Sequence, residues 1–536
     1  MTVFFVDGWD YHPAMQLRFG TILSSCLVLF ISLTVIGCFR RETETLAGKK
    51  PKWLRWTIGR EPKGIDWTAC SDLACLQNAT LTMEGLTRLE TQDDTVRAVP
   101  ALAESWVSPD PLTFIFTLAP NLRWSNGEPL RAEQFVRSWS RLVEHCRVTA
   151  LASLLLPIKH ARELCDNNAA SVLLGVEATN ARTLIVHLAH PSPLFPLALS
   201  HPATWPVPDS PGAQVLGPFI LEKWVHGSEM LYRRNPYYRS SSLGIDGIVM
   251  KVLESAPLRV QQFVDSGTDF VDDLPGQPIG FPPGTLQVLT EPTNVVVALV
   301  FNTSKRPFLS PESRRFFEQA IQREEIIRIA SPLPNVMATG LLAFSTVSLD
   351  QIHPIEFSPT AARDGFTRLK LELGSQHATL GWPIGMALEE IAENIQAQAL
   401  KNLDLKLDIV GGVIGYKGAR GTTQPAPSLT LVELSVNPFA PDHHLEWFGS
   451  QIGETVSHWR SKTFDSALAA SRLATTADAL HSALKRAEQI LVTEDSIVMP
   501  LFLRTRISLR NERVRGVHRT ILGAWDLHEA SLGQSG

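Results

Sequence analysis

No block of lysine or arginine interrupts this sequence, which argues against a nucleic-acid partner. Its 49 basic residues stand against 54 acidic ones, a formal charge of −5. The signatures of common hydrolase and nucleotide chemistry are also missing: there is no GxSxG, no HExxH and no GxxxxGK[ST]. The nearest approach to a phosphate cradle runs from Gly415 to Gly421 and then Thr422 and Thr423. It lacks the lysine that must follow the last glycine, so it reads as a loop. Cysteine is scarce, six in 536 residues, and no two are spaced CxxC. That spacing disfavours a zinc site.

What is present is ordinary globular material, 19% charged and 44% hydrophobic. The length suits two or three domains with a self-sufficient core. The sharpest local feature is Phe19 to Gly37, FGTILSSCLVLFISLTVIG, which carries no charge and is preceded by Arg18. A basic residue, an apolar run and small residues at its end mark an export signal. Val35-Ile36-Gly37-Cys38 resembles a bacterial lipobox, implying cleavage before Cys38 and its acylation. The alternative is an uncleaved anchor, since about twenty apolar residues span a bilayer. Residues 1–14 carry no positive charge, which makes Met15 a second candidate start. Residues 1–38 are therefore read as signal, and the polar 39–52 (FRRETETLAGKKPK) as a tether.

Export permits disulfides. Cys26 and Cys38 fall in the signal, leaving Cys70, Cys75, Cys146 and Cys165. Three pairings are possible. Closeness in sequence favours Cys70–Cys75 and Cys146–Cys165, with free buried thiols as the alternative.

From Trp53 onward, strands and helices alternate irregularly. Leu112, Phe114, Phe116 and Leu118 follow a period of two, and Asn126-Gly127 makes a turn. Ala132 to Glu144 places Phe135, Val136, Trp139, Leu142 and Val143 at helical spacing. Thr183 to Leu188 is a further strand; Phe219 to Trp224 and Glu229 to Arg233 form a pair around His226-Gly227. Val295 to Phe301 is a nearly continuous apolar run, as in a buried strand. Pro311 to Ile329 reads as one helix with proline in its first turn. Leu388 to Leu400 is another helix, and Ala477 to Val492 a third, capped by Thr476. Ile497 to Leu503 is a strand. This mixture points to the α/β or α+β class with several lobes.

One stretch, ELSVNPFAPDHHLEWF (433–448), leaves a strand at Asn437-Pro438 and enters a loop with Asp442, His443 and His444. Adjacent histidines on a strand face opposite ways, so both would hold one metal only in an irregular loop. The reading is no metal site. Trp67, Trp205, Trp382, Trp447, Trp459 and Trp525 lie in or beside loops, where an indole supplies apolar area and a polar edge to a cleft. Packing in the core is the alternative for each.

EGLTRLE (84–90), the long run AVPALAESWVSPDPLTFIFTLAPNLRWSNGEPLRAEQFVRSWSRL (98–142) and GPFILEKWVHGSEMLYRRNPYY (217–238) resemble one known family. So do VVVALVFNTSKRPFLSPESRRFFEQAIQREEII (295–327), EEIAENIQAQALKNLDLKLDI (389–409) and ALKRAEQILVTEDSIVMPLFLRTRISL (483–509). The family is that of the extracellular solute-binding proteins, family 5, which serve ABC importers for oligopeptides, dipeptides and nickel. The resemblance runs in order from about 54 to 518.

The resemblance implies an α/β, two-lobed clamshell of the periplasmic-binding-protein kind, with mixed sheets, a hinge and an extra subdomain. Lobe I is expected at 53–78, 205–290 and 505–536, the extra subdomain at 79–204 and lobe II at 291–504. The implied role has no catalysis and no cofactor. A monomer in the cell envelope, lipid-anchored through Cys38, captures a peptide by closing its lobes and hands it to a permease driven by cytoplasmic ATPases. Other readings are a sugar or metal chelate as ligand, a surface sensor or adhesin, and, further off, a secreted hydrolase. In peptide-binding relatives a small-residue strand is followed by an aspartate that pairs with the ligand amine. Asn437 stands at that position here, after Ser435 and Val436, and Asp442 is the alternative amine partner. Glu84, Gly85, Thr293 and Asn294 are expected to reach the cleft, with Trp382 and Trp459 from lobe II.

Overall fold

The computed structural model describes residues 51–533, apart from 71, 93–94, 145–153, 167–171, 209–213, 241, 275–286, 331–334, 343–354, 374–376, 384–385, 387, 414–425, 438 and 451–456. The expected signal, Cys38, the tether up to 50, Cys146 and the glycine-rich loop from Gly415 to Gly421 lie outside the described residues. Among the described residues no helix is long and apolar enough to cross a membrane.

The chain from Lys52 onward is one compact unit with two lobes built along an 11-stranded sheet. Two long antiparallel strands, Gln287–Phe301 and Val498–Arg510, form its spine. On one side follow Phe270–Leu274, Trp53–Ile58, Gly247–Val252, Glu229–Arg234 and Phe219–Val225. On the other follow Leu429–Ser435, His377–Pro383 and Lys406–Val413. Both long strands outrun the apolar stretches that announce them in the sequence. Val295 to Phe301 is only the end of the first strand, half-buried at Val295 and buried from Val296 on; its earlier half, from Gln287, carries polar residues. Likewise Ile497 to Leu503 is the apolar end of a strand that continues through Arg504 and Arg506. Partner strands, rather than apolar content, hold those polar halves extended.

The ladder between the long strands shifts register twice, between Pro292 and Val296 and again between Val297 and Ala298, and the first shift is the wider. Pro292 pairs with Thr505 and Val296 with Leu503, so residues 293–295 face Arg504 alone. Proline has no N–H to give the ladder, and the surplus residues make a bulge.

A separate antiparallel sheet orders Ala103–Asp110, Thr113–Leu118, Thr183–His187 and Val176–Asn180. Phe114, Phe116, Leu184 and Val186 bury one face against the helix Ala132–Glu144, through Phe135 and Trp139. The turn at Gly227, with φ of +69°, joins the pair Phe219–Val225 and Glu229–Arg234.

The expected single helix over 311–329 is two: Pro311–Ala320 and Arg323–Ala330. Side chains of the neighbouring helix Glu389–Leu403 take up the backbone groups freed between them. Asn402 Nδ2 donates to the Ala320 carbonyl at 2.7 Å, and Gln322 N–H donates to Gln398 Oε1 at 2.6 Å. The expected helix to Val492 ends at Gln489 and continues as a π-helical turn, Ile490–Glu494. Its cap is Thr476, which accepts from the Ala479 N–H. Cys70 and Cys75 are joined in a disulfide, and Cys165 is also disulfide-bonded.

Candidate functional site

The strand Leu429–Ser435 is zipped along one edge to Val295–Phe301. Its other edge meets a strand only at Leu429 and Thr430, opposite Leu380 and Gly381. From Leu431 onward that edge has no strand partner among the described residues. Val432, Leu434 and Val436 are buried, Glu433 is half-buried, and Ser435 and Asn437 are exposed. A cavity of about 380 Å³ lies here, lined by Val432 to Ser435, Asn437, Met386, His443, His444 and Trp447.

Asn294 reinforces the end of this strand. Its backbone carbonyl accepts from the Val436 N–H, and its Nδ2 donates to the Val436 carbonyl, each at 2.9 Å. The Thr293 hydroxyl accepts from the Val295 N–H at 3.2 Å. Both residues thus shape the bulge and the strand end. Val436 has both backbone groups engaged, whereas Ser435 and Asn437 present side chains to the cavity.

Asn437 Oδ1 accepts from the Phe439 N–H at 3.0 Å, and the Asn437 carbonyl accepts from the Ala440 N–H. This turn re-aims the chain into a short helix, Pro441–Leu445, followed by the 3-10 turn Glu446–Phe448. The helix buries His444, and that burial lowers its pKa to about 4, so it is neutral at ordinary pH. Trp447 stays 45% exposed on the cavity wall.

Asp442 belongs to a different space. A second cavity, about 490 Å³, lies between the segment 439–446 and residues of the first half, including Leu154, Arg162 and Leu194. Asp442 faces it with Arg472, whose Nε is 4.0 Å from Asp442 Oδ2 and which also pairs with Glu446. His443 borders both cavities. Phe439 lines this second cavity, packed with Leu154, Leu197 and Ala198 and edge-on to His201 at 5.4 Å. The sequence placed Asn437 and Asp442 as alternatives for one role; the fold puts them on separate cavities.

The remaining expected residues are not on the strand-edge cavity. Glu84 is 7% exposed and held by a two-pronged ion pair with Arg239, at 2.6 and 3.0 Å. A Cβ on Gly85 would stand 2.2 Å from Trp205 Nε1 and 2.7 Å from the Leu199 carbonyl oxygen, so only glycine fits. The two residues border a small cavity of about 60 Å³. Trp382 packs in a hydrophobic core with Leu380, Leu388 and Ile391. Trp459 lies in the core beside Phe464, its indole N–H donating to Asp495 Oδ2 at 3.0 Å. For these two tryptophans the core alternative describes their surroundings.

Sequence reasoning passed over Glu433 and Met386, and named Trp447 only among loop tryptophans. The signal for Glu433 was legible: a lone acid inside the apolar strand LTLVELS needs a partner, and it has Arg504. Among the described residues no three His, Cys, Asp or Glu side chains converge as a metal site.

Residues 97–451 match the bacterial extracellular solute-binding proteins, family 5, in their middle region. The dipeptide-binding protein DppE of Bacillus subtilis is 24% identical over 548 residues, covering 94% of this chain and 97% of the relative. The probable deoxycholate-binding periplasmic protein YgiS of Escherichia coli is 25% identical over 452 residues, 78% of this chain and 82% of its own. The fold superposes on the MppA periplasmic murein tripeptide binding protein in its unliganded open form with a TM-score of 0.73, at 21% identity, over 90% of this chain and 96% of that one. The chain belongs to the bacterial extracellular solute-binding proteins of family 5.

Proposed function

We propose that this protein is the capture component of an ABC importer and that its ligand is an extended peptide. The observation that carries this reading is the strand edge from Leu431 to Ser435, which has no strand partner among the described residues and is bordered by a cavity. An exposed edge offers main-chain donors and acceptors to any peptide laid along it, and pockets beside it accept side chains. Main-chain pairing needs no particular sequence, which suits a receptor for many peptides. The relatives' names, a dipeptide binder among them, agree with this reading.

The bulge at residues 293–295 is the hinge in this proposal. Bulged residues absorb backbone rotation without loss of a full ladder, so the lobes close about Pro292 and Arg504. Lobe I then comprises 53–78, 205–290 and 505–536, with 79–204 as its subdomain and 291–504 as lobe II. A lipid on Cys38 holds the monomer at the membrane beside its permease. The Cys38→Ala form is expected to take up no labelled palmitate; continued labelling would remove the lipid anchor from the scheme.

The test of function is native mass spectrometry of the purified protein, with release and sequencing of whatever co-purifies. A set of short peptides supports the reading. A single steroid-like or sugar mass overturns it in favour of a non-peptide solute, the reading that the probable deoxycholate-binding relative brings forward.

A further inference from the structure

The strand-edge cavity has a polarity of its own. Glu433 is the carboxylate on its wall, half-buried at 26% exposure, and Arg504 holds it. Arg504 Nε donates to Glu433 Oε1 at 2.9 Å, and Nη2 donates to the same oxygen. Oε2 makes no hydrogen bond among the described residues. A carboxylate gripped by one oxygen is positioned and still has acceptor capacity on the other. Arg504 itself lies at the break in the long ladder, opposite residues 293–295, and its guanidinium lies over the Phe502 ring at 5.6 Å. The arginine is therefore anchored from two directions.

Asn437 has the opposite character. Its Oδ1 already accepts from the Phe439 N–H, and its Nδ2 amide group makes no hydrogen bond among the described residues. The Nδ2 group only donates, so it suits a ligand carbonyl or carboxylate oxygen, while the neutral and already engaged Oδ1 is a weaker acceptor for an ammonium group than a carboxylate is. An aspartate in the same turn would present a second oxygen instead. Asn437 lies four positions after Glu433, about 13 Å at strand rise, a span that an extended ligand of about four residues covers.

We propose that this cavity is a polarised subsite in which Glu433, steadied by Arg504, receives a ligand ammonium group while Asn437 donates to a ligand oxygen. The inference rests on the peptide reading above and adds to it a direction for the ligand and the residues that set it. Because Arg504 neutralises Glu433 at a distance, the selection is short-ranged: it favours donors that reach Oε2 rather than any positive charge nearby. The ammonium has two sources in a peptide, the α-amine and a lysine side chain.

The test is calorimetric titration of the purified full chain with tetra-alanine, N-acetyl-tetra-alanine and N-acetyl-Lys-Ala-Ala-Ala. Glu433→Gln keeps an oxygen for Arg504 and removes the charge. It is expected to weaken one or both amine-bearing peptides by about tenfold and to leave N-acetyl-tetra-alanine unchanged, since a charge-assisted bond is roughly twice as strong as a neutral one. Whichever peptide loses affinity identifies the amine that is read. Asn437→Asp serves as an independent variant: the new carboxylate oxygen is expected to tighten amine-bearing peptides selectively. Equal changes for all three peptides in both variants overturn the subsite while leaving peptide capture intact. Failure of the wild-type protein to bind any of the three overturns the peptide reading itself, and the subsite with it.

Discussion

Replacing Asp269 with alanine is expected to cost about 3 kcal/mol of stability, the low end of the range for breaking a buried ion pair. The carboxylate is fully buried and serves two arginines. Arg55 donates from Nε to Oδ2 at 3.0 Å and from Nη2 to Oδ1 at 2.7 Å, while Arg513 donates from Nε and Nη2 to Oδ1 at 2.9 and 2.6 Å. The Arg55 backbone N–H adds a further bond to Oδ2. Burial alone would push the Asp269 pKa up, but the bonds from Arg55 and Arg513 more than offset it and hold the carboxyl below its ordinary range. Alanine leaves both guanidiniums without their acceptor. Arg55 is 42% exposed and recovers part of the loss by solvation, which places the estimate at the low end of the range. Arg55 lies on the first strand, Asp269 just ahead of Phe270–Leu274 and Arg513 shortly after Val498–Arg510, so the loss loosens the part of the sheet where these strands pair. Urea unfolding followed by tryptophan fluorescence measures it; a midpoint shift worth less than about 1 kcal/mol would show the cluster to be dispensable.

Raising the pH is expected to weaken the fold through Glu488. This side chain is 1% exposed, and the Leu341 and Leu342 N–H groups donate to its Oε1. Burial raises its pKa to about 7 despite those two bonds. The native state therefore keeps a proton between the ordinary carboxyl range and about pH 7 that the unfolded chain has already released. Stability falls as pH climbs through that window and levels off above it. At about 1.4 kcal/mol per unit, the full effect is roughly 3 kcal/mol. Glu318, raised to about 8 by burial, works in the same direction, so the comparison must isolate Glu488. Glu488→Gln mimics the protonated acid and keeps an oxygen for the two N–H groups. The variant is expected to match the wild type near pH 5 and exceed it near pH 8. Parallel stability curves for the two proteins across that range would refute the assignment.

Much of the fold was legible because its elements satisfy local rules. The period-two run at Phe114 and Phe116 could bury one face only as a strand, and the apolar positions in Ala132 to Glu144 lie along one side of a helix. Thr476 announced its helix because an N-cap is a matter of neighbouring residues. The misses have a common origin in distant partners. Nothing local stops a helix at Ala320; the interruption depends on Asn402 and Gln398, some eighty residues away, to accept and donate in place of the helical bonds. The polar halves of the two long strands likewise exist because each supplies the other's ladder.

The candidate site divides in the same way. By itself the sequence determined the family, through motifs in fixed order, and with it the clamshell plan and the stretch 435–437 as the place to look. It also raised the expectation that Asn437 stands where peptide-binding relatives carry an aspartate, with Asp442 as the alternative. Only the tertiary structure decided what Asn437 offers, because its oxygen already accepts from Phe439 while its amide N–H groups make no hydrogen bond among the described residues. Only the tertiary structure placed Asp442 and Asn437 on different cavities, drew Glu84 into an ion pair with Arg239, and enclosed Trp382 and Trp459 in the core. It also brought Glu433 to the cavity with Arg504 behind it, 71 residues away along the chain. Hydrogen-bonding capacity is a property of an atom and its neighbours in space, and a sequence specifies the atom without the neighbours.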